Sequence, residues 1–191
     1  RLIMGVLIDF VSWHTATLII GALALLAATV FWKILPESRN FRASSLKPRS
    51  LLDGFVMHFK DAGLPWLFLE AFLLMGAFVT MFNYIGYRLL AGPYELSQAV
   101  VGLLSLVYLS GIYSSAKIGS LADRLGRRRV LWATIVLMLC GMTLTLFTPL
   151  WLIVPGMLIF TFGFFAAHSV ASSWIGRRAV RAKGQASSLY L

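Results

Sequence analysis

Five stretches of the chain are as long as a membrane-spanning helix and contain no Asp, Glu, Lys or Arg. The hydrocarbon core of a bilayer is about 30 Å thick, and a helix of about 20 residues crosses it. None of the stretches alternates apolar and polar residues as a membrane barrel strand does, so helix is the remaining way to satisfy the backbone in lipid. The five predicted spans are residues 15–32, 71–87, 98–116, 130–148 and 150–176.

Two shorter apolar pieces lie at the ends of the chain. The first, "RLIMGVLIDFVSW", begins with Arg1 and runs into a polar turn, and the last, "QASSLYL", stops at Leu191. We interpret both as partial helices of a longer chain. The predicted fold is therefore all-α and integral to the membrane, with five complete spans and two partial ones.

Composition and charge distribution exclude a nucleic-acid-binding protein. The chain is 59% apolar and 13% charged, whereas soluble domains are about 45–50% apolar and about 25% charged. The net charge is +10, but fifteen of the seventeen Lys and Arg residues lie in 33–60, 117–129 and 177–183, between the apolar stretches. By the positive-inside rule, loops 36–63, 117–129 and 177–185 are cytoplasmic.

Metal, cofactor and enzyme chemistry have little support. The single cysteine, Cys140, lies inside a predicted span, with no His or Cys at ligand spacing beside it. A membrane-embedded enzyme would need acidic residues or histidines clustered at acid/base or ligand spacing, and the seven acidic residues are scattered. We expect no metal, no cofactor and no enzymatic activity.

The polar, proline-interrupted segment after the first full span divides the chain into three regions. Residues 1–35 form the end of one helical half, residues 36–63 form a cytoplasmic linker, and residues 64–191 form part of a second helical half. Within the linker, "LLDGFVMHF" carries apolar residues at helical spacing. This pattern predicts a short helix that lies on the membrane face.

The segment "GSLADRLGRRR", residues 119–129, resembles the Gly-x-Leu-Ala-Asp-Arg-x-Gly-Arg-Arg loop signature of the major facilitator superfamily, with every defining position filled. "LPES", residues 35–38, resembles the end of the sixth helix of that family. The resemblance implies a fragment of a twelve-helix transporter, from the end of helix 5 to the start of helix 11. The signature residues it implies as a conformational switch are Gly119, Asp123, Arg124, Gly126, Arg127 and Arg128.

The resemblance also implies secondary transport by alternating access. Asp123 would contact the start of a helix in the other half, and Arg124 and Arg127 would complete the charge network. The sequence is most similar in character to bacterial inner-membrane drug/proton antiporters, which implies proton-coupled efflux of a small organic solute. A non-transporting membrane scaffold and a nonfunctional partial transporter remain the alternatives.

Polar residues inside the predicted spans are candidates for a solute cavity or for proton coupling, although each also has a structural explanation. An arginine deep in a span is a functional-site hypothesis by default, a histidine in a bundle can take up a proton, and a glutamate near a span end can simply be interfacial. Polar tips also serve to pack helices together. The candidates are Arg1, Glu70, Asn83, Tyr84, Tyr108 and His168.

Overall fold

The computed structural model describes residues 2–37 and 48–191, and these residues form helices and turns with no β-strand among them. The predicted all-α class is confirmed. In chain order the helices are α1 Leu2–Phe10, α2 Trp13–Ile34, α3 Pro48–Lys60, α4 Leu64–Leu90, α5 Gln98–Leu103, α6 Tyr108–Leu125, α7 Arg127–Leu144, α8 Leu150–Arg178 and α9 Lys183–Tyr190, with a 3-10 turn at Leu104–Val107 between α5 and α6.

Four helical segments are long and apolar enough to cross a membrane: Trp13–Ile34, Leu64–Leu90, Gln98–Leu125 and Leu150–Arg178. The fifth predicted span is α7, which begins with three arginines and is uncharged from residue 130 onward. Large apolar side chains on these helices face outward; Trp32, for example, is 80% exposed. Such an apolar exterior is suited to lipid rather than to water.

The short connections follow local capping chemistry. The hydroxyl of Ser12 accepts a hydrogen bond from the Thr15 N–H at 3.3 Å and caps α2. Ser97 caps α5 through the Val100 N–H in the same way. A serine side chain at this position satisfies one of the backbone donors that the first helical turn leaves unpaired. The predicted linker helix is α3, and the linker residues 38–47 lie outside the described residues.

The predicted loop 117–129 is wrong in its extent, because most of it is helical. Helix α6 continues to Leu125 and α7 begins at Arg127, so Gly126 alone separates them. The residues before it, such as Lys117 and Leu121, favour helix. Gly126 has a φ of +88°, a conformation that glycine adopts without strain. One residue therefore makes the turn for which about a dozen were expected.

The chain divides into two compact units. In the unit formed by residues 2–37 and 86–106, α1 packs against α5. A Cβ atom at Gly5 would come within 2.6 Å of the Gln98 carbonyl oxygen, so glycine is what allows the two backbones to approach. The Asp9 carboxylate accepts a hydrogen bond from the Ala99 N–H at 3.1 Å and holds the same contact at the other end of α1.

In the unit formed by residues 48–85 and 107–191, α7 and α8 make the most extensive contact among the described helices. A Cβ atom at Gly141 would lie 2.3 Å from the Phe160 backbone nitrogen, and one at Gly163 would lie 2.7 Å from the Met138 nitrogen. Small residues on facing helices allow this packing, which stabilises helix pairs in lipid.

Helices α4 and α6 join the same unit through an aromatic cluster. Phe78 stacks on Phe164, with the ring centroids 4.0 Å apart, and Tyr108 packs edge-on against Phe82 with centroids 4.9 Å apart. Aromatic pairs in these geometries add stabilisation beyond the area that they bury. The cluster fixes α4 beside α8 and thereby positions the polar groups of α4.

Candidate functional site

The junction between α6 and α7 carries the acidic residue of the predicted signature loop. Asp123, in the last turn of α6, accepts a hydrogen bond from the Arg127 guanidinium in the first turn of α7. The Arg177 guanidinium, near the end of α8, approaches the same carboxylate oxygen to 3.5 Å. The Asp123 carboxylate is thus paired with Arg127 at the start of α7 and with Arg177 near the end of α8.

The other signature residues surround this ion pair. Arg124 and Arg128 are exposed, and neither forms an ion pair within residues 2–37 and 48–191. Gly119 has open space where a side chain would lie. Arg127 pairs with Asp123, and the roles expected of Arg124 and Arg127 in a charge network stay predictions. Sequence reasoning missed Arg177, because nothing in the loop motif points to a partner 54 residues further along the chain.

A second carboxylate, Asp61, organises the start of α4. Its Oδ1 atom accepts hydrogen bonds from the N–H groups of Gly63 and Leu64, each at 2.8 Å, and from the Arg178 Nε–H. The hydrogen bond from Arg178 is the largest cause of the low pKa of Asp61, about 2, and the two backbone donors lower it further. Asp61 is therefore ionised at neutral pH and ties the end of α8 to the start of α4.

Two consecutive arginines at the end of α8 thus have separate partners. Arg177 lies near Asp123, which precedes α7 in the sequence. Arg178 binds Asp61, which precedes α4. The buried imidazole of His58 on α3 adds a third connection, since its Nε2 lies 3.3 Å from the Ala182 carbonyl oxygen in the turn after α8. The basic segments that the sequence places on one side of the membrane are therefore joined by polar contacts.

Glu70 on α4 is partly exposed as a residue, but its carboxyl group is buried. Both carboxyl oxygens are inaccessible and lack a hydrogen-bond partner in the described part of the chain. Glu70 lines a cleft of about 410 Å³ whose other lining residues are apolar side chains of α4 and α7, including Trp66, Ile135 and Met138. The carboxyl oxygens are thus enclosed by protein, and a role of Glu70 in proton coupling stays a prediction.

His168 on α8 is half-buried and hydrogen-bonded to Tyr190 on α9. The Tyr190 hydroxyl lies 2.9 Å from His168 Nδ1 and 3.0 Å from the His168 carbonyl oxygen. His168 is therefore paired with a tyrosine that sequence reasoning did not select, because its neighbours in "SLYL" look like ordinary helix.

The remaining candidates lie apart from Glu70 and His168. Asn83 and Tyr84 are on the exposed side of α4, and Tyr108 belongs to the aromatic cluster. Arg1 lies outside the described residues. Within the described residues there is no group of three or more His, Cys, Asp or Glu side chains that could hold a metal ion.

The sequence profile of the Major Facilitator Superfamily matches residues 1–191. The chain belongs to the Major Facilitator Superfamily. The family assignment agrees with the helical membrane fold and with the acidic and basic residues at the α6–α7 junction.

Curated relatives match over the whole chain. The chain is 61% identical over 191 residues to the inner membrane transport protein YnfM of Escherichia coli strain K12 and covers 46% of it. It is 43% identical over 191 residues to the uncharacterized MFS-type transporter YybF of Bacillus subtilis strain 168 and covers 47% of it. An uncharacterized transporter of Buchnera aphidicola subsp. Schizaphis graminum is also 43% identical, with 46% of it covered. The chain thus spans about half the length of these relatives, and no solved structure matches it.

Proposed function

We propose that the chain is the central part of a secondary active transporter that moves a small organic solute across the bacterial inner membrane by alternating access. In this proposal residues 1–35 end one helical half, residues 36–63 link the halves, and residues 64–191 belong to the second half. The partner of this region is the remainder of the same transporter, and the coupling ion is the proton, which enters as the solute leaves. The family and the names of its relatives support transport in preference to enzymatic catalysis.

The observation that carries the proposal is the pairing of Asp123 with arginines on two helices. Asp123 contacts Arg127 across the α6–α7 turn and Arg177 on α8. About half of its side chain remains exposed, so a further partner can reach it. An exposed ion pair contributes about 1 kcal/mol or less, which suits a contact that must break and re-form during each transport cycle.

The polar residues on the exposed side of α4 are suitable for lining a solute path. Asn83 and Tyr84 lie next to each other there, and both are exposed. Tyr108 contributes a polar tip to the aromatic cluster beside them. Aromatic and amide groups bind weakly polar organic molecules through stacking and a few hydrogen bonds, and we propose such molecules as the substrate class.

Flux measurements in vesicles test this function. The full-length transporter is reconstituted, a pH gradient is imposed, and a panel of radiolabelled amphipathic amines, organic acids and sugars is tested against empty vesicles. We expect gradient-driven movement of at least one solute, with a matching proton flux reported by a trapped pH-sensitive dye. If no solute moves faster than in empty vesicles, the transport proposal is wrong and a scaffold role is favoured.

The role of Asp123 is tested in the same vesicles. Asp123→Asn keeps the shape of the side chain but removes the charge that pairs with the two arginines. We expect slower solute flux with unchanged membrane insertion, whereas Glu95→Gln, at an exposed turn, should transport like the parent protein. Equal flux in both variants would contradict a switch role for Asp123.

A further inference from the structure

Helix α3 is held against the start of α9 by small and polar groups. The imidazole of His58 is buried, and its Nε2 lies 3.3 Å from the Ala182 carbonyl oxygen in the turn after α8. The side-chain amide of Gln185 on α9 donates a hydrogen bond to the Leu51 carbonyl oxygen at 2.8 Å. A Cβ atom at Gly54 would overlap the amide of Gln185, so glycine lets the two helices meet. These contacts leave the large apolar side chains of α3 free for another partner.

A second side of α3 is an exposed apolar stripe. At about 100° per residue, the members of this stripe fall within an arc of about 100°, and Gly54 and His58 lie outside that arc. A contiguous exposed apolar surface of this kind marks contact with a protein or a membrane. The four side chains of the apolar stripe are between 38% and 63% exposed: Leu52, Phe55, Val56 and Phe59.

The ring of Phe59 fixes the depth of the stripe relative to a membrane-spanning helix. It packs edge-on against Phe68 of α4, with the ring centroids 6.0 Å apart. Phe68 is four residues after the start of α4 at Leu64, which is about 6 Å along the helix. On either side of Phe68, α4 has Trp66 and Phe72 exposed by 70% and 74%. The end of the apolar stripe therefore lies at the level of lipid-facing side chains of α4, and this continuity favours lipid as its partner.

Basic side chains border the stripe on α3 and in the turn after α8. Arg181 lines the same cleft as His58, and Lys183 follows directly the residue whose carbonyl oxygen contacts His58. Asp53 is the single acidic residue of α3. Four exposed cations, none in an ion pair within residues 2–37 and 48–191, surround the stripe: Arg49, Lys60, Arg181 and Lys183. Basic groups beside an apolar helix face attract anionic phospholipids.

We propose that α3 and the turn after α8 form one binding surface for anionic phospholipids of the leaflet on the side of the basic segments. The acyl chains contact the apolar stripe, and the headgroup phosphates contact the four cations. The surface combines a helix of the linker with a turn more than 100 residues further along the chain, and the contacts of His58 and Gln185 hold the two together. This inference goes beyond the proposed transport function and does not depend on it, because lipid binding requires only the folded protein in a membrane.

A photo-crosslinker on α3 shows what covers the apolar stripe. In a full-length transporter in which every native cysteine is replaced by serine, Val56→Cys is labelled with a benzophenone maleimide. The protein is placed in vesicles of equal parts phosphatidylglycerol and phosphatidylcholine and is then illuminated. The benzophenone bonds to C–H groups within its reach, so the mass of the adduct identifies the neighbour. We expect phospholipid adducts in which phosphatidylglycerol exceeds phosphatidylcholine about tenfold or more, since each cation near the surface favours an anionic lipid by about fivefold.

A second labelling site controls for ordinary contact with the bilayer. Leu139→Cys on α7 replaces a side chain that is 54% exposed and lies twelve residues after the start of the helix. This distance is about 18 Å, so the label is far from the arginines at that helix end. We expect the label at this site to give the two phospholipids in equal amounts.

Charge variants test the role of the cations in the Val56→Cys protein. Lys60→Gln combined with Lys183→Gln should lower the excess of phosphatidylglycerol about fivefold or more. The matched control is Lys33→Gln combined with Lys117→Gln, which removes the same charge from exposed positions elsewhere and should leave the excess unchanged. If the first pair does not fold, Arg49→Gln combined with Arg181→Gln removes two other cations of the same surface and should have the same effect.

Each of the other outcomes overturns the proposal. Equal amounts of the two phospholipids at Val56→Cys, or the same change in the test and control pairs, would show that the surface does not recognise anionic lipid. An adduct with another segment of the transporter would show that protein covers the stripe, and an intact label without adducts would show that water does. Selective lipid adducts without any solute flux would remove the transport proposal alone, so the two failures are distinguishable.

Discussion

Replacement of Asp61 tests whether the ion pair between α4 and α8 stabilises the fold as its geometry indicates. Asp61→Asn keeps an oxygen that accepts the N–H groups of Gly63 and Leu64, but it removes the charge that binds Arg178. Asp61→Ala removes both the acceptor oxygen and the charge. The pair of variants therefore separates the ion pair from the helix cap.

The expected magnitude follows from the pKa of Asp61. A decrease from 3.8 to about 2 corresponds to about 2 kcal/mol of stability. The side chain is 31% exposed, so water screens the pair, and we expect Asp61→Asn to cost about 1 kcal/mol at neutral pH. Loss of the cap in Asp61→Ala should cost about 1 kcal/mol more.

The pH dependence has a definite sign. Because the folded-state pKa of Asp61 is lowered, its contribution is present above about pH 4 and disappears as the pH falls to about 2. The difference between the parent protein and Asp61→Asn should therefore be complete at neutral pH and close to zero at about pH 2. Arg178→Gln should cost a similar amount, and the double variant should cost little more than either single one.

The assay is the loss of monodisperse full-length transporter in detergent after heating, measured by size-exclusion chromatography at several pH values. Glu95→Gln is the matched control, because Glu95 is exposed in a turn. Equal stability of the parent protein and Asp61→Asn at neutral pH would refute the reasoning. A destabilisation of the same size at every pH would also refute it, because the effect would then not come from the carboxylate charge.

Two further predictions concern glycines. Gly163→Ala should separate α7 from α8, because the new Cβ would lie 2.7 Å from a backbone nitrogen. We expect the free energy of unfolding to fall by about 1–3 kcal/mol. The control is Gly76→Ala, which has open space around it and should be at least as stable as the parent protein in the same heating assay. Gly126→Ala should cost about 1 kcal/mol of stability, because alanine is strained at a φ of +88°. Its control is Gly184→Ala, at a helical position with open space around it. Equal stability of the two variants would show that the turn tolerates a side chain and would contradict this prediction.

The helices could be predicted from the sequence because each uncharged stretch has to pair its own backbone groups inside lipid. Asp123 could be selected as a candidate because its loop motif is local, and its switch role stays a prediction. The turn at Gly126 was predicted too long, because helix propensity in residues 117–125 competes with an expected loop. The partners Arg177, Arg178 and Tyr190 were not predicted, because they are set by which helices pack together and not by sequence spacing.

The most direct test of the membrane topology is the accessibility of single cysteines. In a full-length transporter in which every native cysteine, Cys140 among them, is replaced by serine, a cysteine is introduced by Arg128→Cys, Arg181→Cys or Glu95→Cys. Intact spheroplasts are then treated with a membrane-impermeant maleimide. Reaction of Glu95→Cys from outside, with Arg128→Cys and Arg181→Cys reacting only after lysis, is the predicted result. Reaction of Arg128→Cys and Arg181→Cys from opposite sides of the membrane would contradict the account.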